Sequence, residues 1–342
     1  YWVWIPRYIY KISSGWHSSE TGTIEVQFSK GTNDNWNSSV IGNIDTGTTA
    51  EASNNKWTNH PAFTFGDTEL TGFWVAKFQP TAVEGVDNYW QADNVITKTI
   101  VILPNVQTWR YITIGNAFTV SRNMETNEVY GWGNSGNGID THMMKNVEWG
   151  AIAYLSKSSY GKENEEIWIN NSGQFTTGCA GDDVAAGYYN GCQNEYNTED
   201  GVKASTTGNI YGIYDMAGGA FEYVAARINS DDSTYEDYGL AILNAPHKYR
   251  DEYSMGDTEG ETYLLSIDHK GDALYETSGD YLWSNAWFGD YSRIPGRTTQ
   301  WFERDGRYDS GSRAGPFSFS SYTGTGDYNI TFRPVLVVSQ GL

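Results

Sequence analysis

Short runs of aromatic and β-branched residues alternate with polar stretches through the first hundred residues, and this pattern predicts β-strands. Each run is bounded by Gly, Ser, Asn or Pro, which interrupt regular structure. The predicted strands are Tyr1–Ile12, Gly22–Ser29, Gly72–Gln79 and Val95–Leu103, with a later one at Ile330–Val338.

Two segments show the spacing of an α-helix. The better one is Thr141–Leu155, where Met144, Val147, Ala151 and Leu155 recur at helical steps and Asp140 or Thr141 can cap the start. The second is Trp109–Met124, with Thr108 as the candidate cap.

Polar, glycine-rich sequence separates and follows these elements. The run Lys30–Asn59 is heavy in Asn, Thr, Ser and Gly, and we expect an exposed excursion there. No repeat with a period of 20 to 50 residues is present, which argues against a propeller or a solenoid. The pattern therefore predicts one α+β domain over residues 1–342, with few helices, short strands and long loops.

The charge balance excludes two classes of partner. The 342 residues include 42 Asp+Glu and 22 Lys+Arg, a formal net charge of −20, so nucleic acid and anionic membrane surfaces would be repelled. The longest apolar runs, Tyr1–Pro6 and Thr99–Pro104, are far shorter than the roughly 20 residues that span a bilayer, so we expect no membrane insertion. Because the chain begins at Tyr1, we expect a mature or trimmed product.

The sequence carries few residues in patterns that indicate chemistry. Cys179 and Cys192 have 12 residues between them, a spacing unlike a redox or zinc pair, and they are interpreted as one disulfide, with two unpaired buried thiols as the alternative. The five histidines are scattered, and the acidic pairs lack the calcium-loop pattern. The GWGNSG stretch at 131–136 has no preceding strand, so we interpret it as a plain glycine loop.

The most informative segment is Gly208–Ala225, GNIYGIYDMAGGAFEYVA, where Glu222 lies between two aromatic residues and needs a partner or a metal. Its GIYDMAGGAFEY resembles the GLYDMxGNVWEW signature of the formylglycine-generating-enzyme (sulfatase-modifying factor) branch of the C-type-lectin fold. YWVWIP, GFWVAKFQ, VEWGAIAYLS, WFERDGR and TFRPVL are similar to other blocks of that family, in its order. The resemblance implies this fold for the whole chain, with insertions at 30–59 and 226–280.

Departures from the family pattern argue against catalysis. The oxidase members hold copper with two cysteines that follow the signature block, whereas both cysteines here precede it and Trp283–Leu342 contains none. No histidine cluster suits the iron-dependent relatives. The family's calcium site retains only Glu222, because Gly219 replaces its asparagine, so calcium is the one cofactor still considered and no other is expected.

A second resemblance is to non-enzymatic members of the same branch: surface-displayed proteins diversified by retroelements, and pilin-like or prophage-associated proteins of bacteria. Trp301–Leu336 is similar to their variable segment, with Tyr, Ser, Asn, Asp, Arg and Gly between fixed positions. These residue types are also favoured in paratopes; an ordinary polar loop region is the alternative. Within residues 283–338 the predicted ligand contacts are Trp287, Phe288, Tyr291, Tyr308, Asp309, Ser310, Arg313, Ser318, Tyr322, Asp327 and Tyr328.

We therefore expect a bacterial, extracellular or cell-surface module of the adhesin type that binds a protein or a glycan and is not an enzyme. The alternatives are a metal-dependent oxidase of the formylglycine-generating type and a structural subunit of a pilus or phage-like particle, and a filament could also display the module.

Overall fold

The computed structural model describes residues 1–29, 31–32, 41–132 and 138–338, and within them the fold is α+β with several small sheets and few helices. The strands are β1 Trp2–Pro6, β2 Tyr8–Ser14, β3 Thr23–Phe28, β4 Thr58–Asn59, β5 Thr64–Phe65, β6 Thr68–Glu69, β7 Gly72–Ala76, β8 Thr81–Ala82, β9 Ile100–Val101, β10 Ile139–Met143, β11 Cys179–Ala180, β12 Asn194–Glu195, β13 Phe221–Ile228, β14 Asp251–Tyr253, β15 Leu282–Trp283, β16 Ser292–Arg293, β17 Trp301–Asp305, β18 Gly315–Tyr322, β19 Ile330–Phe332 and β20 Pro334–Val338.

The α-helices are α1 Trp90–Asp93, α2 Ile114–Asn123, α3 Asn146–Lys157, α4 Leu240–Leu243 and α5 Glu259–Leu265. Short 3-10 turns lie at Ala50–Ser53, Pro61–Phe63, Glu128–Tyr130, Gly201–Ala204, Glu236–Gly239, His247–Tyr249, Ser266–Asp268, Tyr275–Thr277, Trp287–Gly289 and Gly311–Arg313. No helix in the described ranges has the length and apolar character needed to cross a bilayer.

Two sheets organise the molecule. The larger has the order β14-β13-β17-β18-β16-β15, with β19 also pairing with β13, and the smaller has the order β1-β7-β20-β10. Further small sheets are β3-β2-β4, β11-β12, β5-β6 and β8-β9. Helix α3 packs on β18, and the fully buried Trp109, Trp149, Trp287 and Trp301 belong to one continuous core.

Two predicted strands are each divided by a buried arginine. Tyr1–Ile12 breaks at Arg7, whose guanidinium donates to the carbonyl oxygens of Phe63 and Leu70, so β1 and β2 enter different sheets. Ile330–Val338 breaks at Arg333, with β19 in the large sheet and β20 in the smaller one. The backbone pairs with different partners on either side of each arginine, which a run of apolar residues does not reveal.

The helix boundaries differ from the prediction because strand pairing competes with helical spacing. The Thr141–Leu155 helix was placed too early: Ile139–Met143 forms β10, paired with β20, and α3 starts at Asn146. The Glu148 carboxylate accepts from the Lys145 backbone N–H at 2.8 Å and caps this start in place of Asp140 or Thr141.

The second helix is also shorter than predicted. Helix α2 begins at Ile114, and the hydroxyl of Thr113, not of Thr108, accepts the capping hydrogen bond from Asn116 N at 3.3 Å. Trp109 precedes the helix, and its indole donates to the Asp93 carbonyl at 2.9 Å. Trp109 and Ile112 therefore belong to a buried, non-helical segment before Thr113.

Three other predictions concern the loops and strands. Thr23–Phe28 and Gly72–Ala76 confirm two strands, whereas Val95–Leu103 keeps only Ile100–Val101 as a strand. In the excursion 30–59, the described part is not wholly exposed, since Ala50, Ala52, Ser53 and Thr58 are buried; residues 30 and 33–40 lie outside the described residues. Positions 133–137 of the glycine loop also lie outside them.

Candidate ligand-binding cleft

A buried ionic cluster joins the motifs that carry the family resemblance. The Arg333 guanidinium donates to both carboxylate oxygens of Glu222, through Nε at 2.9 Å and also through Nη2. It further donates to the backbone carbonyls of Ala76, Tyr214 and Asp215 at 2.8 to 3.1 Å. The segments GIYDMAGGAFEY and TFRPVL are thus held together by one fully buried pair.

This cluster corrects the interpretation of Glu222 as a calcium ligand. Its two carboxylate oxygens accept from Arg333, and Oε1 also accepts from Gln79 Nε2 at 3.2 Å. A guanidinium in direct contact neutralises the carboxylate, so this donor set does not fit a cation. Across the described residues, no three His, Cys, Asp or Glu side chains are grouped to hold a metal ion.

The two cysteines do not fit a copper site. Cys179 and Cys192 form a disulfide, which confirms the pairing predicted from their spacing. Neither sulfur is then available as a thiolate ligand, which copper coordination by cysteine requires. The bond closes a loop that bears Tyr188 and Tyr189.

Strand β17 is anchored from behind by Arg304. This fully buried guanidinium donates to the carbonyls of Asp272 at 3.0 Å and Ala273 at 3.2 Å, and to Asn146 Oδ1 at 3.3 Å. Burial lowers the pKa of Arg304 to about 10. The contacts tie residues 272–273 to the large sheet, so this part of the 226–280 segment is core.

A strained turn leads from β17 into the exposed loop. Asp305 has a φ of +79°, a region that L residues rarely adopt, and Gly306 follows with a Cβ position only 2.7 Å from Ala314 Cβ. The Asp305 carboxylate accepts from Gly218 N at 2.6 Å. This hydrogen bond accompanies the unusual backbone conformation of Asp305.

The turn opens into a cleft of about 320 Å³ at the end of the large sheet, called here the C-terminal cleft. Its walls come from the first residue of β13, from β15, from the residue before β16, from the loop after β17 and from β18. The lining residues are Phe221, Trp283, Tyr291, Gly306, Arg307, Asp309, Ser310, Arg313, Ser318 and Ser320.

The two arginines of the cleft differ in their contacts. Arg307 is fixed: its guanidinium pairs bidentately with Asp309, and Nη1 donates to the Tyr328 hydroxyl at 2.7 Å. Arg313 is exposed, and its guanidinium makes no hydrogen bond or ion pair with any described residue. Arg313 therefore offers a set of hydrogen-bond donors to a ligand.

Aromatic surface lies beside these charges. Trp283 is 63% exposed and meets Tyr291 edge to face, with the ring centroids 6.0 Å apart. The Trp283 backbone carbonyl accepts from the Ser292 hydroxyl at 2.6 Å, which fixes the strand end that bears the indole. A large exposed indole on ordered backbone is a contact surface for a ligand.

An aromatic cluster extends the face beyond the cleft. Tyr308 packs edge to face on Phe175 at 5.0 Å and on Tyr188 at 5.7 Å, and Arg110 lies 3.9 Å above the Phe175 ring. Tyr188 belongs to the loop closed by the disulfide. The bridge therefore restrains a loop that contributes to the same face.

The structure brings together part of the predicted contact set. Tyr291, Asp309, Ser310, Arg313 and Ser318 line the cleft, although Ser318 is almost completely buried. Tyr308 and Tyr328 border it through the aromatic cluster and Arg307.

Two predicted contacts lie elsewhere. Trp287 is fully buried, and its indole donates to the Gly15 carbonyl at 3.0 Å, so its assignment as a ligand contact is wrong. Phe288 packs on Phe317, and its backbone N–H donates to Thr21 Oγ1. Both residues follow a polar segment in sequence, but they pack against the connection between β2 and β3.

Tyr322 and Asp327 form a separate polar pair, with the Tyr322 hydroxyl donating to Asp327 at 2.7 Å. Nearby, Glu303 is buried, and its Oε1 has no hydrogen-bond partner in the part of the chain that the structure describes. Burial and the charge of Asp327 raise the pKa of Glu303 to about 8. Tyr322 and Asp327 are not among the residues that line the cleft.

Sequence reasoning missed five lining positions, Phe221, Trp283, Gly306, Arg307 and Ser320. Trp283 had no usable signal, because it lies in the aromatic run YLWSNAWF at 281–288 together with the buried Trp287. Phe221 lies in the signature block, where the pattern indicates core and not surface.

Comparisons with known proteins leave the family open. No protein-family model matches the chain, and no curated protein matches it. Among solved structures, Treponema denticola variable protein 1 is similar over 96% of this chain and 99% of that chain, at 9% sequence identity and a TM-score of 0.34. A likeness this distant assigns neither the fold nor the function.

Proposed function

We propose that this chain is a ligand-binding module and that the C-terminal cleft is its binding site. The observation that carries the proposal is that one cleft holds an exposed indole, Trp283, and an exposed guanidinium, Arg313, that is unpaired among the described residues. Apolar contact area beside a few placed polar groups is the usual composition of a ligand site.

The size of the cleft sets the kind of ligand. A volume of about 320 Å³ is at the small end for ligand pockets, so it accommodates one unit of a larger molecule, such as a single sugar or amino-acid side chain. The rest of the ligand would lie across the aromatic cluster of Phe175, Tyr188, Tyr308 and Tyr328. A protein or glycan presented on another surface meets both requirements.

The finer assignments rest on the sequence. The C-type-lectin fold of the formylglycine-generating-enzyme type and a diversified segment at 283–338 are proposals from the motif resemblance. An extracellular or cell-surface location is favoured by the disulfide, because such bonds persist in oxidising compartments. We propose that the module is not an enzyme; no observation favours the oxidase or the filament subunit.

The test is a binding screen followed by two cleft variants. The chain is applied to arrays of glycans and of extracellular proteins, and the affinity for a retained ligand is measured by isothermal titration calorimetry. We expect Trp283→Ala and Arg313→Ala each to weaken binding at least tenfold, because each removes an uncompensated contact.

Tyr89→Ala is the matched control. Tyr89 is 65% exposed, a fraction similar to the 63% of Trp283, and it lies outside the cleft. It should bind with wild-type affinity. A retained ligand whose affinity is unchanged by both cleft variants would place the binding site elsewhere and refute the proposal.

A further inference from the structure

A second groove, of about 460 Å³, lies where helix α3 begins and contrasts in charge with the rest of the molecule. The chain as a whole has 42 acidic and 22 basic residues. The charged lining of this groove consists of Lys145, Lys248, Arg250 and Lys270 against Asp251 and Asp268. Basic residues are thus concentrated in one groove of a strongly acidic protein.

Two of these cations are buried, and among the described residues no carboxylate accepts a hydrogen bond from either. Lys145 is 5% exposed, and the only carboxylate oxygen of the described residues within 4.0 Å of its Nζ is Glu148 Oε1, at 3.9 Å. That distance is too long for a hydrogen bond, and Lys145 Nζ donates no other hydrogen bond to a described residue. Its ammonium therefore has unused donors next to the groove.

Lys270 is in a similar position. It is 8% exposed and donates to the Gly47 carbonyl and the Thr58 hydroxyl, which are neutral acceptors. No carboxylate oxygen of the described residues lies within 4.0 Å of its Nζ. Burial lowers the pKa of Lys270, as expected for a cation removed from water without direct compensation.

A buried ammonium without a hydrogen-bonded carboxylate is unfavourable, and in this protein such a partner would be easy to supply because acidic residues are in excess. The two other cations do have such partners: Lys248 Nζ lies 3.1 Å from Asp140, and Arg250 Nε lies 3.1 Å from Glu252. Lys145 and Lys270 thus differ from the other two cations of the groove, because no described carboxylate accepts a hydrogen bond from them.

The beginning of α3 adds positive electrostatic potential to the groove. A helix N-terminus carries partial positive charge, and Val147 N already donates to Asp251 Oδ2 at 2.9 Å. The groove therefore already holds one carboxylate against the helix end. Space next to Lys145 remains open for a second anionic group.

We propose that this groove binds an oxyanion of the sulfate or phosphate type, held by Lys145 and Lys270 with Lys248 at its edge. Lysine ammonium groups act as point charges toward such anions, and several oxygens on one centre can meet donors from different directions. The net charge of −20 repels long polyanions, which favours a single oxyanion over an extended polymer. The groove is distinct from the C-terminal cleft, and no lining residue is shared.

The test measures binding of inorganic phosphate and inorganic sulfate to the full chain by isothermal titration calorimetry at low chloride. We expect Lys145→Gln and Lys248→Gln to lower the affinity at least tenfold and about threefold, respectively. Lys203→Gln removes the same charge from an exposed pair with Asp200 outside the groove, and it should stay within twofold of wild type.

Dextran sulfate, with uncharged dextran beside it, distinguishes the source of the anion. If dextran sulfate displaces phosphate from the wild-type chain, and its own binding is weakened in Lys145→Gln, the group is carried on a polymer; if it does not displace phosphate, the ligand is a free anion. No binding of either inorganic anion, or an equal loss in Lys203→Gln, would overturn the proposal. If circular dichroism shows that Lys145→Gln is unfolded, wild-type affinity in Lys248→Gln overturns it as well.

Discussion

The arginines in the strands of the C-terminal region and those in its loop are used in opposite ways. Arg304 in β17 and Arg333 between β19 and β20 are fully buried and donate mainly to backbone carbonyls and one carboxylate. Arg307 and Arg313, in the segment that joins β17 to β18, lie at the surface of a cleft. The same residue type therefore stabilises the scaffold at one pair of positions and lines a cleft at the other.

This difference separates what the fold needs from what a ligand can use. The buried arginines satisfy carbonyls from several segments at once, so replacing either leaves many polar groups without partners. Arg307 bonds to Asp309 and Tyr328 at the surface, and the Arg313 guanidinium makes no hydrogen bond or ion pair with any described residue. We expect stability to depend on the first pair and recognition on the second.

The largest effect is expected for Arg333→Met. The variant leaves Glu222 buried without its cation, and breaking such a pair typically lowers the free energy of unfolding by about 3–5 kcal/mol. Urea denaturation followed by circular dichroism measures the change. Adding Glu222→Gln should recover part of the loss, because the double variant no longer buries the Glu222 carboxylate without its cation; a double variant as unstable as Arg333→Met would contradict this account.

A smaller, pH-dependent effect is expected at Glu303. Its pKa is about 8 in the folded protein against an ordinary value of 4.5. Between these values the unfolded chain loses the proton and the folded chain keeps it, so the stability present below pH 4.5 is lost as the pH rises to about 8. Relative to wild type, Glu303→Gln should gain about 1–3 kcal/mol of unfolding free energy between pH 5 and pH 8.5.

Urea denaturation of both proteins at the two pH values provides the measurement for Glu303. Glu20→Gln, at an exposed position, serves as the control and should follow the wild type at both. If Glu303→Gln and wild type change in parallel with pH, Glu303 does not keep its proton in the fold.

The smallest effect on stability is expected for Arg313→Ala. Exposed substitutions that break no cap, pair or packing contact usually change the free energy of unfolding by less than about 0.5 kcal/mol. The same denaturation experiment measures it. A loss above about 1 kcal/mol would show that the loop arginine also supports the fold, and the contrast with Arg333 would then disappear.

Part of the fold could be predicted from the sequence. The α+β composition, the strands near Gly22 and Gly72 and the bridge between Cys179 and Cys192 follow from local pattern and spacing. The start of α3 could not be predicted, because Ile139–Met143 satisfies helical spacing and strand pairing equally well. Only the partner strand β20, distant in sequence, decides between them.

The candidate site was predicted in the same partial way. Polar and aromatic residue types marked the C-terminal segment as a surface, and five of its selected positions line the cleft. Trp287 was placed there wrongly, because residue type does not tell an exposed indole from one packed under a hairpin. Trp283, only four positions earlier, has the opposite environment.

Local sequence determined which segments are apolar, where the chain turns and which two thiols are near enough to join, because these properties depend on neighbours along the chain. The tertiary structure alone decided that Arg333 meets Glu222, that Arg313 has no hydrogen-bonded partner among the described residues and that Lys145 and Lys270 share a groove. These arrangements depend on residues far apart in sequence, and the free energy of a charge is set by what surrounds it in space.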